Sequence, residues 1–147
     1  MDDATRTVAD RLAIADLMAL YCTALDSKDW RLLEQVFTPD AVCDYGATGV
    51  PHGLDEITET VSRTLAPTDA TQHLLGNVTA EVTGDTAVAS AYLQAQHVRA
   101  GAEGGDTYLI GGRYDDELAR TDAGWRITRR TLTRMWSTGN RGVVTRS

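Results

Sequence analysis

The sequence has none of the short fingerprints of a nucleotide site, a nicotinamide site, a zinc protease or a serine nucleophile. GxGxxG, the P-loop, GxSxG and HExxH are all missing, so chemistry of those kinds has no support in it, and no cofactor or metal is expected. Cysteine is scarce: Cys22 and Cys43 stand far apart, outside any CxxC and without histidines at zinc spacing. They read as buried thiols of a reducing compartment, with one disulfide as the alternative. No apolar run approaches the ~20 residues of a membrane span. Met1-Asp2-Asp3 offers neither the basic nor the apolar region of a signal peptide. Basic side chains number 14 against 21 acidic ones, for a formal net charge of −7. The clustered cations that phosphate backbones require are confined to Arg126, Arg129, Arg130 and Arg134. The expectation is a cytoplasmic protein that binds neither nucleic acid nor membrane.

What is present is an ordinary globular pattern. At 147 residues, 42% of them apolar, the chain makes one domain and buries roughly 68–70% of its unfolded surface. Val8, Leu12, Ile14, Leu17, Met18, Tyr21 and Leu25 recur at helical intervals, predicting a helix over Val8–Leu25. A short helix over Trp30–Phe37 follows, with Asp29 as its N-cap and Thr38-Pro39-Asp40 as its stop. Ala41–Tyr45 reads as a first strand and Leu54–Leu65 as a third helix. The period then changes. Gln72–Thr83, Thr86–Arg99, Asp106–Arg120 and Trp125–Thr138 are long alternating or β-branched runs, separated by hairpin-type breaks. Three helices followed by a meander predict an α+β domain spanning 1–147, with 1–7 and 139–147 as loose ends.

Several residues could carry chemistry. Asp26 closes the first helix, where the negative end of the helix dipole should raise its pKa, and it could equally be a turn-forming cap. His73, near the head of the first long strand, suits proton transfer near neutral pH, or is structural. His97 shares strand parity with Ala89, Ala91, Leu93 and Ala95 and points inward, as a pocket or core histidine. His52, between Pro51 and Gly53, reads as a loop residue. Tyr21 lies about 140° around an ideal helix from Asp26, so one pocket takes both only if the helix end loosens. Tyr45, Tyr108 and Trp136 are core or pocket aromatics. Arg130 shares parity with Leu132 and Trp136; facing inward, it needs a carboxylate or a substrate anion, and facing outward it is part of a solvated basic edge. Gly111-Gly112 in mid-strand predicts a bend or bulge, with room against the sheet.

Particular strings also resemble a family. Arg11-Leu12-Ala13-Ile14-Ala15-Asp16-Leu17 with Tyr21 and Leu25-Asp26 is similar to the opening of the dehydratase branch of the SnoaL-like, scytalone-dehydratase-like group in the nuclear-transport-factor-2-like superfamily. Phe37-Thr38-Pro39-Asp40-Ala41-Val42 resembles that family's entry to its first strand. Gly111 through Leu118 and Gly124-Trp125-Arg126-Ile127 resemble its last two strands. The likeness runs from Val8 to Thr138. It implies a cone-shaped α+β barrel, three N-terminal helices on a curved, mostly antiparallel sheet. It also implies an Asp26–His73 catalytic pair with Tyr21, and Tyr45, His97 and Arg130 around the substrate, to which Tyr108 and Trp136 are added as pocket aromatics. A dehydrochlorinase of the branch carries lysine at the place of Tyr21, which turns the reading from halide elimination toward dehydration.

The expected activity is therefore a cofactor-free lyase of dehydratase type acting on a small hydrophobic cyclic substrate. A polyketide-type cyclase or isomerase could use the same dyad, and a non-catalytic binding module could use the fold. Leu74, Val78 and Val82 on one strand predict an exposed apolar face and hence a homodimer or homotrimer.

Overall fold

A computed structural model describes residues 1–145. The helix α1 (Asp3–Ser27) starts earlier than its apolar period, because the Asp2 side chain accepts from the Thr5 amide at 2.7 Å and caps it. Its first turns project: Val8 and Leu12 are exposed, and the inward place among them is taken by Asp10. Ile14, Leu17, Met18, Tyr21, Cys22 and Leu25 form the buried stripe. The helix stops at Lys28, a left-handed residue at φ 55°, whose ammonium donates to the carbonyls of Ala66 and Thr68.

The expected second helix is a 3-10 helix, Trp30–Gln35, and Asp29 does not cap it through its side chain. The expected stop at Thr38-Pro39-Asp40 lies inside β1 (Phe37–Asp44), whose register against its neighbour slips between Phe37 and Val42. A proline fits there because a bulge asks for no ladder donor. His52 is more than a loop residue, forming an isolated bridge with Val42 that covers the outer edge of β1. After α2 (Leu54–Leu65) come β2 (Ala70–Thr83), β3 (Thr86–Val98), β4 (Thr107–Thr121) and β5 (Gly124–Gly139).

The sheet order is β1-β5-β4-β3-β2, antiparallel throughout except that β1 lies parallel to β5. The five strands do not close; α1 packs along β2 and α2 against β1, filling the concave side. The architecture is the expected α+β one. The expected loose ends, 1–7 and 139–147, carry secondary structure in part where they are described. Residues 3–7 are helical, and at the other end the Arg141–Val143 turn buries Val143 and takes a hydrogen bond from Arg99. The part of that expectation falling on 146–147 lies outside the described residues. Cys22 and Cys43 are buried and unpaired, and burial pushes both thiols up to about 11. No described helix is long and apolar enough to cross a membrane.

Two contacts clamp the layers. Asp10 receives both terminal nitrogens of Arg120, at 2.7 and 2.8 Å, and the Trp125 indole at 3.0 Å, fixing α1 to the β4–β5 hairpin. Those bonds, the Arg120 pair first, hold the Asp10 carboxyl down at about 2. Deeper, Arg130 meets Asp116 at 2.8 Å through two parallel bonds, with both side chains at 0% exposure.

Three bulges decide which side chains face the cavity. In β2 the register slips between Gly76 and Thr79, with Asn77 at φ 51°. Leu74 therefore stays exposed while Val82 packs on the core, so the expected single apolar face of Leu74, Val78 and Val82 is split. In β5 Thr128 is an extra residue, so that Ile127 and Arg130 both face inward. Met135 is the third, since Gly112 pairs with Arg134 and Gly111 with Trp136. Beyond Met135 the faces exchange, and Trp136 lies on the open side of the sheet over Gly111. A Cβ at Gly111 would stand 2.0 Å from the indole. Replacing Gly111 with alanine should therefore displace Trp136, redden its share of tryptophan emission and cost about 1–3 kcal/mol in a urea melt. Unchanged emission and stability would show that the notch does not seat the ring.

Candidate active site

The concave face of the sheet and the two helices enclose a cavity of about 80 Å³. One water needs roughly 10–15 Å³, so the space suits a ring-sized group rather than a single solvent molecule. Tyr21 and Leu25 of α1, Val61 and Leu65 of α2, and Leu93 and Leu132 of the sheet supply much of its wall. Its polar residues are Tyr21, Tyr45 and Tyr114, Thr48, the α2 threonines Thr60 and Thr64, His73, His97 and Arg134. A wider concavity of about 590 Å³ lies on the open face of the sheet, between Glu81, Val88, Asp115 and Arg129. It contains no histidine and lacks a paired acid and base reaching inward, so the smaller cavity is the site.

Asp26 and His73 meet as expected, with Oδ1 and Nδ1 2.6 Å apart. The same carboxylate also accepts the His73 backbone amide and the Thr71 hydroxyl, each at 2.8 Å. Burial acts to raise the Asp26 pKa, but the bonds from His73 and Thr71 outweigh it and leave the group below its ordinary value. This reverses the rise expected from the helix dipole: donors in contact dominate a partial charge spread over the last turn. An ionised Asp26 can only accept, so Nδ1 of His73 carries the hydrogen, and Nε2 is the nitrogen that bears the lone pair in the neutral ring. The angular problem between Tyr21 and Asp26 also dissolves. The helix stays regular to Ser27, Asp26 reaches sideways to the head of β2, and His73 carries the dyad into the cavity.

Tyr21 and Tyr45 lie with their hydroxyls 2.8 Å apart. Burial drives both phenols up, so both stay protonated at neutral pH. One hydroxyl donates to the other, and the second hydrogen is free to point at a ligand. His97 lies beside His73, ring centroids 6.0 Å apart. Its Nδ1 donates to the Tyr108 carbonyl at 2.9 Å, and burial lowers its pKa, so it presents a neutral Nε2.

Three expected pocket residues stand elsewhere. Tyr108 is buried behind His97 and serves it through its backbone. Trp136 is outside, for the reason given by the Met135 bulge. Arg130 has the carboxylate it needed in Asp116 and lies below the cavity floor, its guanidinium 4.3 Å from the Tyr21 ring and 3.9 Å from the Tyr114 ring. Burial disfavours its charge, and Asp116 more than restores it. Sequence reasoning missed Tyr114 and Arg134 as wall residues. Parity already offered the signal: Tyr114 shares a strand face with Gly112, and Arg134 with Leu132. Among the described residues no three His, Cys, Asp or Glu side chains converge as a metal site.

Asp26 should titrate below pH 3.8, its ordinary value. Carboxyl carbon-13 shifts can follow it. Because the folded value is the lower one, its contribution to stability is complete above about pH 4. That contribution fades as pH falls through the folded value, and Asp26→Asn should flatten this part of the stability profile. A midpoint at or above the ordinary value would refute the donor count.

Comparison with known proteins agrees with this architecture. Residues 6–131 match the SnoaL-like domain. An uncharacterized protein of Mycobacterium tuberculosis, Rv2910c, is 37% identical over 131 residues, 86% of each chain. Among solved structures, a candidate aromatic ring hydroxylase from Novosphingobium aromaticivorans superposes with a TM-score of 0.83 at 33% identity, over 94% of this chain and 98% of that one. A candidate scytalone dehydratase from the same organism gives 0.85 at 21%, over 94% and 92%. A hexachlorocyclohexane dehydrochlorinase from Novosphingobium barchaimii gives 0.82 at 22%, over 96% of each chain. The last two share the fold, and lyase-type enzymes are thus among its neighbours. The chain belongs to the SnoaL-like domain family.

Proposed function

We propose that the protein is a cofactor-free acid–base lyase of dehydratase type, acting on a small hydrophobic ring with a hydroxyl beside an activated C–H. The observation that carries this reading is the 2.6 Å Asp26–His73 contact, with the His73 ring on the cavity wall. Nε2 of His73 takes the proton next to a carbonyl, and the C–H electron pair moves to the carbonyl oxygen as an enolate. The free hydroxyl hydrogen of the Tyr21–Tyr45 pair stabilises that oxygen. Asp26 holds the resulting imidazolium. The enolate then re-forms its carbonyl and expels the hydroxyl, which takes the proton back from His73 and leaves as water. His73 and Asp26 return to their starting states, so no other reactant is consumed. The cavity volume favours a ring-sized group over a fused polycycle, and two structural neighbours are named for chemistry on ring compounds.

The open face of the sheet exposes Leu74, Val88, Tyr92 and Trp136. We infer that a second or third copy covers it, and sedimentation should return two or three times the chain mass at micromolar concentration. A clean monomer would remove the inference.

The catalytic test uses cyclic β-hydroxy ketones, following loss of water by mass spectrometry and α-proton exchange in deuterated water. His73→Ala and Asp26→Asn should each lower turnover by about 10²–10⁴-fold. Their combination should be little worse than either, since they act as one unit. Near-parental turnover in both single variants would make the dyad structural.

A further inference from the structure

The cavity described above has a second polar feature that the proton-transfer reading leaves unused. Arg134 is the last residue of β5 on the cavity wall, and it is exposed to solvent at the mouth. Its row in the sheet runs Leu75–Leu93–Gly112–Arg134, next to the row that carries His73. Arg120 and Arg130 spend their forks on Asp10 and Asp116, whereas no described carboxylate stands within 4 Å of Arg134. No Asp or Glu lines the cavity either; Asp26 faces His73 from behind. The same cavity is lined by the apolar Ile110 and Leu132 and by the exposed Thr48, on the loop after β1.

The Met135 bulge adds a second, independent observation. Were Met135 an ordinary ladder residue instead of an extra one, Trp136 would follow Arg134 on the inner face and stand next to it. The bulge turns the indole to the other side, where the Gly111 notch receives it. The strand thus leaves a guanidinium at the opening and removes the largest side chain that could have covered it.

We propose that the substrate is an amphiphilic anion whose ring enters the cavity toward His73 while a terminal carboxylate remains at the mouth on Arg134. This rests on the proton-transfer reading above and names the class of molecule it serves. The planar guanidinium fork suits a carboxylate, which it can bind through two parallel hydrogen bonds. Three strand spacings, about 14 Å of sheet, separate the backbones of β2 and β5. Both side chains reach inward from them, so a ring with a tail of three or four carbons spans the gap. The net charge of −7 works against anions in general. Any preference for one is therefore local to this residue.

The test measures binding and needs no turnover. 4-Phenylbutyrate and the uncharged 4-phenylbutyramide share a ring and tail length, and each can be titrated by ligand-observed NMR at low salt. The acid should bind about tenfold more tightly than the amide. Arg134→Gln should bring the two to equality with circular dichroism unchanged, Arg134→Lys should keep part of the difference, and added salt should shrink it. His73→Ala should preserve the preference, which separates the two ideas. If that variant turned over normally, the lyase reading would fall and the anion site would stand. Equal binding of acid and amide, binding of neither, or a preference that survives Arg134→Gln overturns the proposal. So does inorganic phosphate alone displacing the acid at equal concentration, which would mark a bare anion site without the ring.

Discussion

A positive charge sealed inside the protein sets the conditions for everything around it. Arg130 has no exposed surface, and a guanidinium so placed is tolerable only with its carboxylate and its stacking partners in position. Asp116 supplies two hydrogen bonds, and the rings of Tyr21 and Tyr114, set edge to face with each other, both stand against the group. Its Nη1 has no hydrogen-bond partner, so ring contact takes the place of a third bond. Breaking such a pair typically costs about 3–5 kcal/mol, because the remaining charge is stranded. The pair therefore selects one register between β4 and β5, since a slip of one residue would turn Arg130 out of the core. Tyr21 comes from α1, so the same charge also fixes where the helix lies on the sheet.

The candidate chemistry is built on top of that floor. Tyr21 has one face on Arg130 and its hydroxyl on Tyr45, linking the buried charge to the cavity wall in a single side chain. The dyad is assembled separately, at the other end of the helix. Lys28 ties the helix terminus to the carbonyls before β2, and Asp26 grips the first residues of that strand through three donors. His73 is thus oriented by backbone and ring together. Two independent anchors, one electrostatic and deep, one polar and near the surface, place the two halves of the site around one space.

Much of this was legible from residue pattern. The helical stripe of α1, the four long strands, the inward parity of His97 and the meeting of Asp26 with His73 all follow from periodicity or from family likeness. What parity could not supply was its own interruptions. Thr128, Met135 and the Gly76–Thr79 segment each shift the count, and no composition signal distinguishes an extra residue from a regular one. Trp136 and Val82 were misplaced for that reason alone. Arg130 was read as needing a carboxylate or a substrate anion and was placed at the substrate, because a carboxylate on the adjacent strand is invisible until the register is known. The Asp26 pKa was misjudged because a local dipole is readable in sequence, while donors arriving from 45 and 47 residues away are not. The 3-10 geometry of Trp30–Gln35 reflects a segment too short to pay for helix nucleation without a capping side chain.

The bulges in β5 carry a consequence for how such a cavity changes over time. In a regular strand, altering the side chain presented to a ligand requires a substitution at that position. Here the extra residue at Met135 determines which face receives everything downstream of it. Were Met135 drawn into the ladder as an ordinary residue, the indole would turn into the opening with no change of sequence, and the Gly111 notch would be left empty on the far side. Cavity volume in this strand is set by register as much as by composition. Alignments of relatives that place their gaps arbitrarily in β5 will assign pocket residues to the wrong face, so the gaps there need to be placed by register.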